Sequence, residues 1–573
     1  MKRLLILSAL FFVAVMVSML VAFPNMLNII EYNSYFSGDS AFFVKKMGDV
    51  PGLTSWLYCL LSQLFRWAWV GALIETLVLI SVALLCGLSL KRLGALHPEL
   101  ALMVPLFLLA FYPLQLNLYL HTMFFFLAFV AYVSIKNCWG RWLLALAVMV
   151  AGYVLMPWTM LFVLLVLMAV TEWKFFKSGR RCLFLLLPLA ALIAIVPIYS
   201  SCVSFTPFEK RYFVASVGML PVCFFLTAIL LPIVLAFLPE RWFKFARKVK
   251  YAVLGLMVLM VCWGIFRFVN DSRSNMLEES YRFADLAEKG EWQTLLDEVP
   301  MNSLMFNKYN MVYVLLAESE MGQLPENLMK YPIVNPAQFT CRGDSKHRAG
   351  CTVNRLFYKG LGLYDEAIHQ AFEYGTLCDE GYCFGSLRQI AEYAVNEGNL
   401  PLADKYLNIL ARSSFHGAFV KEWREKMAQS KVKPVENLRC ENFAGAYKFN
   451  SEMVRHMQFF PNNKKILDYL LCGLLLNREI AKFQIVLDQC KLYEGKKLPK
   501  VYAEAIAMMN VSAGNLHEMY DYDTEFDDNQ DRFRTALQKG DYMLINSFQN
   551  TYWHYCFATT SSDAETGATQ LVN

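Results

Sequence analysis

Residues 251–271, YAVLGLMVLMVCWGIFRFVND, constrain this chain more than any other stretch. About twenty apolar residues carry a helix through the hydrocarbon layer of a bilayer, and this run supplies them with no charge before Arg267. It reads as the last membrane span. Just upstream stand Arg241, Lys244, Arg247, Lys248 and Lys250 with few compensating acids, and the positive-inside bias puts that end in the cytoplasm. The roughly 300 residues after Asp271 are then expected outside.

Charge divides the chain at the same place. Up to Asn270 there are 21 Lys and Arg against 8 Asp and Glu, which leaves 32 against 40 of the totals of 53 and 48 for the remainder. The basic charges sit in short loops between apolar runs, where topology and anionic lipid account for them, so nucleic acid is not expected as a partner. The later half has the balance of an ordinary soluble surface.

Apolar windows predict about nine spans: 4–23, 68–90, 99–114, 118–135, 142–156, 158–171, 182–199, 214–238 and 251–268. The first follows Met1-Lys2-Arg3 and is read as an uncleaved span, because Phe-Pro-Asn-Met-Leu after Ala22 offers no small-residue cleavage site. With the N-terminus inside, the cytoplasmic loops hold Lys91, Arg92, Lys136, Arg141, Lys174, Lys177, Arg180 and Arg181. The external ones hold only Lys45, Lys46, Arg66, Lys210 and Arg211. The domains expected are a bundle over 1–270 with a first external loop at 24–67, an external helical domain over 271–558, and a disordered tail at 559–573.

The first loop, EYNSYFSGDSAFFVKKMGDVPGLTSWLYCLLSQLFRW, is aromatic, mildly acidic at its start and then amphipathic. Leu53, Leu57, Leu60, Leu61 and Leu64 recur at helical spacing, so the part after Pro51 is expected to lie flat at the interface, with Glu31 and Asp39 at the outer boundary. An acid soon after the first span, then an interfacial helix, a many-span bundle and an external C-terminal domain together resemble the GT-C class of membrane glycosyltransferases. The resemblance implies a first-loop acid acting as base or divalent-cation ligand, with Asp39 matching it and Glu31 beside it, and a polyprenyl-phosphate-linked sugar as donor. It implies Lys45, Lys46, Arg66, Lys210 or Arg211 for the leaving phosphate. The close acidic pair common in that class is absent, since Glu31 and Asp39 stand eight residues apart.

PGLTSWLYCLLSQLFRWAWVGALI, QLNLYLH at 115–121, GYVLMPW at 152–158 and AEYAVNEGNLPLADKYLNIL resemble an uncharacterised family of bacterial multi-spanning envelope proteins. That implies an inner-membrane location with the C-terminal domain periplasmic, and no activity. Glu75 within the second span is a functional candidate, because a charge in the bilayer is costly, although eight residues from Trp67 it is near the interface. Gln115, Asn117 and His121 cluster at an external turn, where they line a polar cavity or bond neighbouring helices.

After Asp271, helices are separated by a recurring turn: Gly290-Glu291-Trp292, Gly322-Gln323-Leu324, Gly362-Leu363-Tyr364, Gly398-Asn399-Leu400, Gly514-Asn515-Leu516 and Gly540-Asp541-Tyr542. Glycine ends one helix in a left-handed cap and the apolar residue two positions on seats the next, which is the grammar of tetratricopeptide-like hairpins stacked in an α-solenoid. The fold class expected is therefore all-α. Phase is lost between Leu410 and Leu467, and 521–531 reads as an acidic loop. Fifteen scattered cysteines contain no CxxC pair, and His347 has no second histidine near it, so no metal site is expected. Cys341 and Cys351 are a disulfide candidate if this half is external, and Cys378 with Cys383 a weaker one. The function classes left are a GT-C-like enzyme, a membrane-anchored scaffold binding protein or peptide partners, and, third, a transporter.

Overall fold

The computed structural model describes residues 2–95, 97–174, 185–203, 248–305, 307–341, 343–344, 346–430, 448–513 and 516–558. The expected span at 214–238, the cations Lys210 and Arg211, and the tail 559–573 lie outside them. All regular elements among the described residues are helical. The chain forms two compact units, Met1–Tyr281 with Ala411–Gly417, and Arg282–Leu410 with Ala418–Asn573.

The first unit contains α1 (Lys2–Ala22), α2 (Pro24–Asn33), α3 (Ser40–Gly48), α4 (Gly52–Ser62), α5 (Ala68–Arg92), α6 (Met103–Phe111), α7 (Leu116–Ser134), α8 (Cys138–Ala151), α9 (Trp158–Lys174), α10 (Leu186–Cys202) and α11 (Lys248–Val269). Three helices, Arg3–Ala22, Ala68–Arg92 and Leu116–Ser134, are long and apolar enough to cross a membrane, and Pro98–Phe111, Cys138–Val154, Leu186–Cys202 and Val258–Val269 are shorter apolar helices. Turn chemistry shortens them. Pro98 opens a 3₁₀ turn before α6, whose nine residues rise only about 13 Å, and α8 tightens into a 3₁₀ turn at Gly152–Val154 just ahead of Pro157.

Packing in this unit leaves one face of its first helix apolar and exposed. α1 lies on α5 and α5 on α7. Phe11, Val15 and Met19 of α1 and Leu79, Val82 and Cys86 of α5 are buried, while Ile6, Leu10, Val13, Val17 and Val21 on the other face of α1 are each more than half exposed. Such a face is stable only against hydrocarbon or another apolar surface. Small residues form the seams: a Cβ on Gly87 of α5 would stand 2.2 Å from Leu4 Cδ2. In α4 the same rule reverses a naive amphipathic reading. Gly52, Thr54, Cys59 and Ser62 are its buried residues, and the leucines that define the apolar stripe are only half-buried. The first loop is thus folded as α2, α3 and α4, with helix well before Pro51 as well as after it.

In the second unit, helices Arg348–Gly360, Tyr364–Thr376, Phe384–Glu397 and Leu400–Leu410 each pack on the next. Gly362 and Gly398, with φ of 76° and 82°, occupy the left-handed region at the turns, as do Gly290, Gly322 and Gly540. Gly514 lies outside the described residues. Ala391, Ala394 and Ala403 are fully buried, which lets neighbouring helices approach closely. The stretch read as an acidic loop at 521–531 is helical from Glu525, because Glu525, Asp527 and Asp528 fall in the first turn of Glu525–Lys539, where the helix dipole favours acids.

The Cys341–Cys351 bridge is not formed. Both stand as buried thiols, each pushed up to about 12 by burial. Hydrogen bonds close this loop instead: buried Asn354 accepts from the Cys341 amide at 2.8 Å and donates to its carbonyl at 3.0 Å.

Candidate site at the first loop

The loop is anchored from its first residues. Glu278 caps α2, accepting from the Asn25 amide at 3.0 Å, the Asn25 side chain at 2.7 Å and the Met26 amide at 2.7 Å. A carboxylate at a helix N-terminus satisfies orphan donors and complements the dipole. At the other end of α2, Glu31 is buried. Between α2 and α3 the chain is extended, with Ser34 to Ser37 buried, and Asp39 is the N-cap residue of α3, although its side chain makes no capping bond.

Both loop acids face residues 411–417 of the same unit. Glu31 Oε1 lies 3.0 Å from His416 Nε2, and His416 Nδ1 lies 2.8 Å from Ser413 Oγ, with Ser413 and His416 also buried. Asp39 Oδ2 is 3.6 Å from the Arg412 guanidinium. Arg66 donates to the Phe415 carbonyl at 2.6 Å, and the Trp67 ring meets the Phe415 ring edge-on at 5.9 Å. Arg412, Ser413 and His416 carry no sequence signal beyond the loss of repeat phase at Leu410.

α3 and the end of α10 line a half-open cavity of about 800 Å³, formed by Ser40, Val44, Lys45, Asp49, Cys202 and Val203 among others. Tyr199 of α10 donates to the Met47 carbonyl at 2.5 Å and holds the two elements together. Lys45 is thus placed on the cavity. Lys46 turns inward over the Phe42 ring at 5.9 Å and is buried. The carboxylate on the cavity wall is Asp49, which the sequence did not single out, while Asp39 immediately precedes the lining residue Ser40. A half-open, mostly apolar cavity with one ammonium and one carboxylate on its wall suits an amphiphile with an anionic head.

The remaining candidates are separate. His121 of α7 and Thr54 of α4 both address the Leu155 carbonyl, at 3.0 and 2.7 Å, a polar joint between helices. Gln115 is exposed at the start of α7, and the buried Asn117 amide oxygen has no hydrogen-bond partner among the described residues. Glu75 is fully buried in α5, and among the described residues neither carboxylate oxygen has a hydrogen-bond partner.

The match that decides the family runs over residues 1–559, almost the whole chain. The chain belongs to the Family of unknown function (DUF6057). No curated protein and no solved structure matches it. Among the described residues no three His, Cys, Asp or Glu side chains converge as a metal-binding group. The divalent cation that the GT-C resemblance implies does not fit these residues, because Asp39 faces the Arg412 guanidinium and the described residues gather no third acid or imidazole around it.

Proposed function

We propose that the chain is a multi-pass protein of the bacterial inner membrane, with about nine spans, its N-terminus inside and a tetratricopeptide-like solenoid in the periplasm, acting as a GT-C-like transferase on a polyprenyl-phosphate-linked sugar. The observation that carries this reading is the apolar cavity with Lys45 and Asp49 on its wall. In the step envisaged, an acceptor hydroxyl forms a bond to the anomeric carbon of the donor as the bond from that carbon to the phosphate oxygen breaks. The hydroxyl proton passes to Asp49, and the lipid phosphate leaves beside Lys45. Asp39, turned toward Arg412, positions the start of α3, and the second unit holds the acceptor.

The test is complementation of a deletion strain, reading its surface glycans. Asp49→Asn keeps the shape and removes the base, and a loss of ~100-fold or more in transfer rate is expected, as for other general bases. Lys45→Ala should weaken use of the lipid donor. Wild-type glycans restored by Asp49→Asn and by Asp39→Asn, each present at normal level, would remove the enzyme reading. The scaffold reading would then lead, supported by the succession of packed helices in the second unit, a form suited to binding peptides or partner proteins.

A further inference from the structure

Glu75 takes part neither in the cavity nor in the transfer step. It lies two turns into α5, one of the three helices long and apolar enough to cross a membrane, about 10 Å along the axis from Ala68. Its side chain is fully buried, and Gly71, Ala72, Val78 and Leu79, which share its face of the helix, are buried with it. Both α1 and α7 pack against α5. Toward Ala68 the Phe65 ring closes over the helix, where a Cβ on Gly71 would stand 2.6 Å from Phe65 Cδ1.

A carboxylate in that place needs donors or a cation, and the groups on the surrounding elements are engaged elsewhere. Among the described residues neither Glu75 oxygen has a hydrogen-bond partner. Thr76, the next residue, gives its hydroxyl proton to the Ala72 carbonyl and lies 3.9 Å from Met19 Sδ of α1. On α7, Tyr119 donates to the Tyr112 carbonyl, and His121 addresses the Leu155 carbonyl. Arg66, in the turn before α5, donates to the Phe415 carbonyl, and Glu31 of α2 faces His416. Lys91 and Arg92 stand in the last turn of α5, about 24 Å away along the axis. A carboxylate without donors or counter-charge in an apolar interior is far less stable than the neutral acid, so such a group keeps its proton. Glu172 is the opposite case, because the forked pair of bonds from Arg141 holds its charge.

We propose that Glu75 is a proton-binding site inside the first unit, occupied at neutral pH, with the proton and not a metal ion as its ligand. A single carboxyl offers too few oxygens for a divalent ion, and among the described residues no other acid, imidazole or thiol joins it to form a metal-binding group. Holding the proton removes a charge that this interior cannot stabilise. Releasing it places a full negative charge among α1, α5 and α7, which only entering water, an arriving cation or a displaced helix can answer. The packing of these three helices is thereby linked to whether the proton is bound.

The experiment is infrared difference spectroscopy of the full-length protein in lipid bilayers at neutral pH, wild type against Glu75→Gln, with Glu172→Gln as the contrasting variant. No reagent has to reach the buried group, and glutamine keeps its size while having no proton to lose. Glu75→Gln is expected to lose one carboxylic-acid C=O band, and Glu172→Gln to lose a carboxylate band with the acid bands unchanged. Glu75→Leu should lose the same acid band, so the assignment stands even where the glutamine variant folds poorly. Loss of a carboxylate band in Glu75→Gln or Glu75→Leu would overturn the proposal. So would disappearance of the wild-type acid band when sodium chloride replaces choline chloride, because a sodium ion would then be the ligand. None of these readouts depends on transferase activity.

Discussion

Two regions of the first unit bury a glutamate in opposite ways. At the junction of α7, α8 and α9, Glu172 accepts a forked pair of bonds from Arg141 Nε and Nη2 and a third from the Tyr132 hydroxyl at 2.9 Å, while Arg141 Nη1 donates to the carbonyls of Ile135 and Lys136 at 3.1 and 2.9 Å. Within α5, Glu75 is equally buried and neither of its oxygens is hydrogen-bonded to a described residue. The nearby Tyr119 hydroxyl gives its proton to the Tyr112 carbonyl at 2.6 Å, and Thr76 gives its own to the Ala72 carbonyl at 2.6 Å. The same unit thus completes one polar network and leaves another polar group bare. Glu172 reads as structure, and Glu75 as a group retained at a cost to stability.

The largest effect should come from breaking the completed network. Arg141→Ala leaves a buried carboxylate with only a tyrosine, and removing one member of a buried pair costs about 3–5 kcal/mol. Thermal unfolding of the detergent-solubilised protein measures it. A loss no greater than that of an exposed pair would end the distinction between the two glutamates.

Glu504 in the second unit is an intermediate case. It is buried, accepts from the Tyr552 amide at 2.8 Å and has Lys500 at 3.9 Å, and burial raises it from an ordinary value of 4.5 to about 7. The folded state therefore holds a proton that the unfolded state has lost between those values. Stability contributed by this group falls as pH rises from 4.5 to 7, by about 3 kcal/mol. In Glu504→Gln that slope should vanish, with the variant equal to the wild type near pH 4 and more stable near pH 8. Parallel stability profiles for the two proteins would show that Glu504 is paired as well as Glu172 is.

Glu75→Leu should act in the other direction. It replaces an orphaned polar group by an apolar one of similar size and is expected to be neutral or to stabilise by about 1–2 kcal/mol. Destabilisation would mean that Glu75 has a partner outside the described residues. A stabilised protein that fails to complement would mark it as a functional residue.

The sequence made the broad architecture legible through two periodic signals. Long apolar runs located α1, α5 and α7, and glycine turns located the hairpins, because both depend on neighbours along the chain. What it concealed depends on residues far apart. Helix ends at Pro98 and Pro157 shortened elements that hydropathy alone draws as spans. The buried face of α4 is set by which side can approach α7, so Thr54 and Ser62 go inward ahead of the leucines. Glu31 and Asp39 were visible as loop acids, but their partners His416 and Arg412 lie more than 370 residues away in a stretch that announces only a break in repeat phase. Asp49 was overlooked in favour of Asp39 because the cavity wall is completed by Cys202 and Val203 at the end of α10.

The smallest effect belongs to the exposed end of the series. Arg412 and Asp39 approach to 3.6 Å with side chains 66% and 36% exposed. Water screens such a pair, which is worth about 0–1 kcal/mol, and salt screens it further. Arg412→Ala is therefore expected to change stability by less than about 1 kcal/mol, with a smaller change at high ionic strength. Combined with Asp39→Asn it also separates two roles for the acid. If Asp39 serves only to hold residues 411–417, the two single variants and the double variant should show the same small stability loss and the same glycans, since each removes one interaction. If Asp39 acts on substrate, Asp39→Asn should lower transfer while Arg412→Ala leaves it intact, although both lose the same contact. Equal loss of transfer in both variants would make the pair itself the functional unit and place Arg412 in the site beside Asp39.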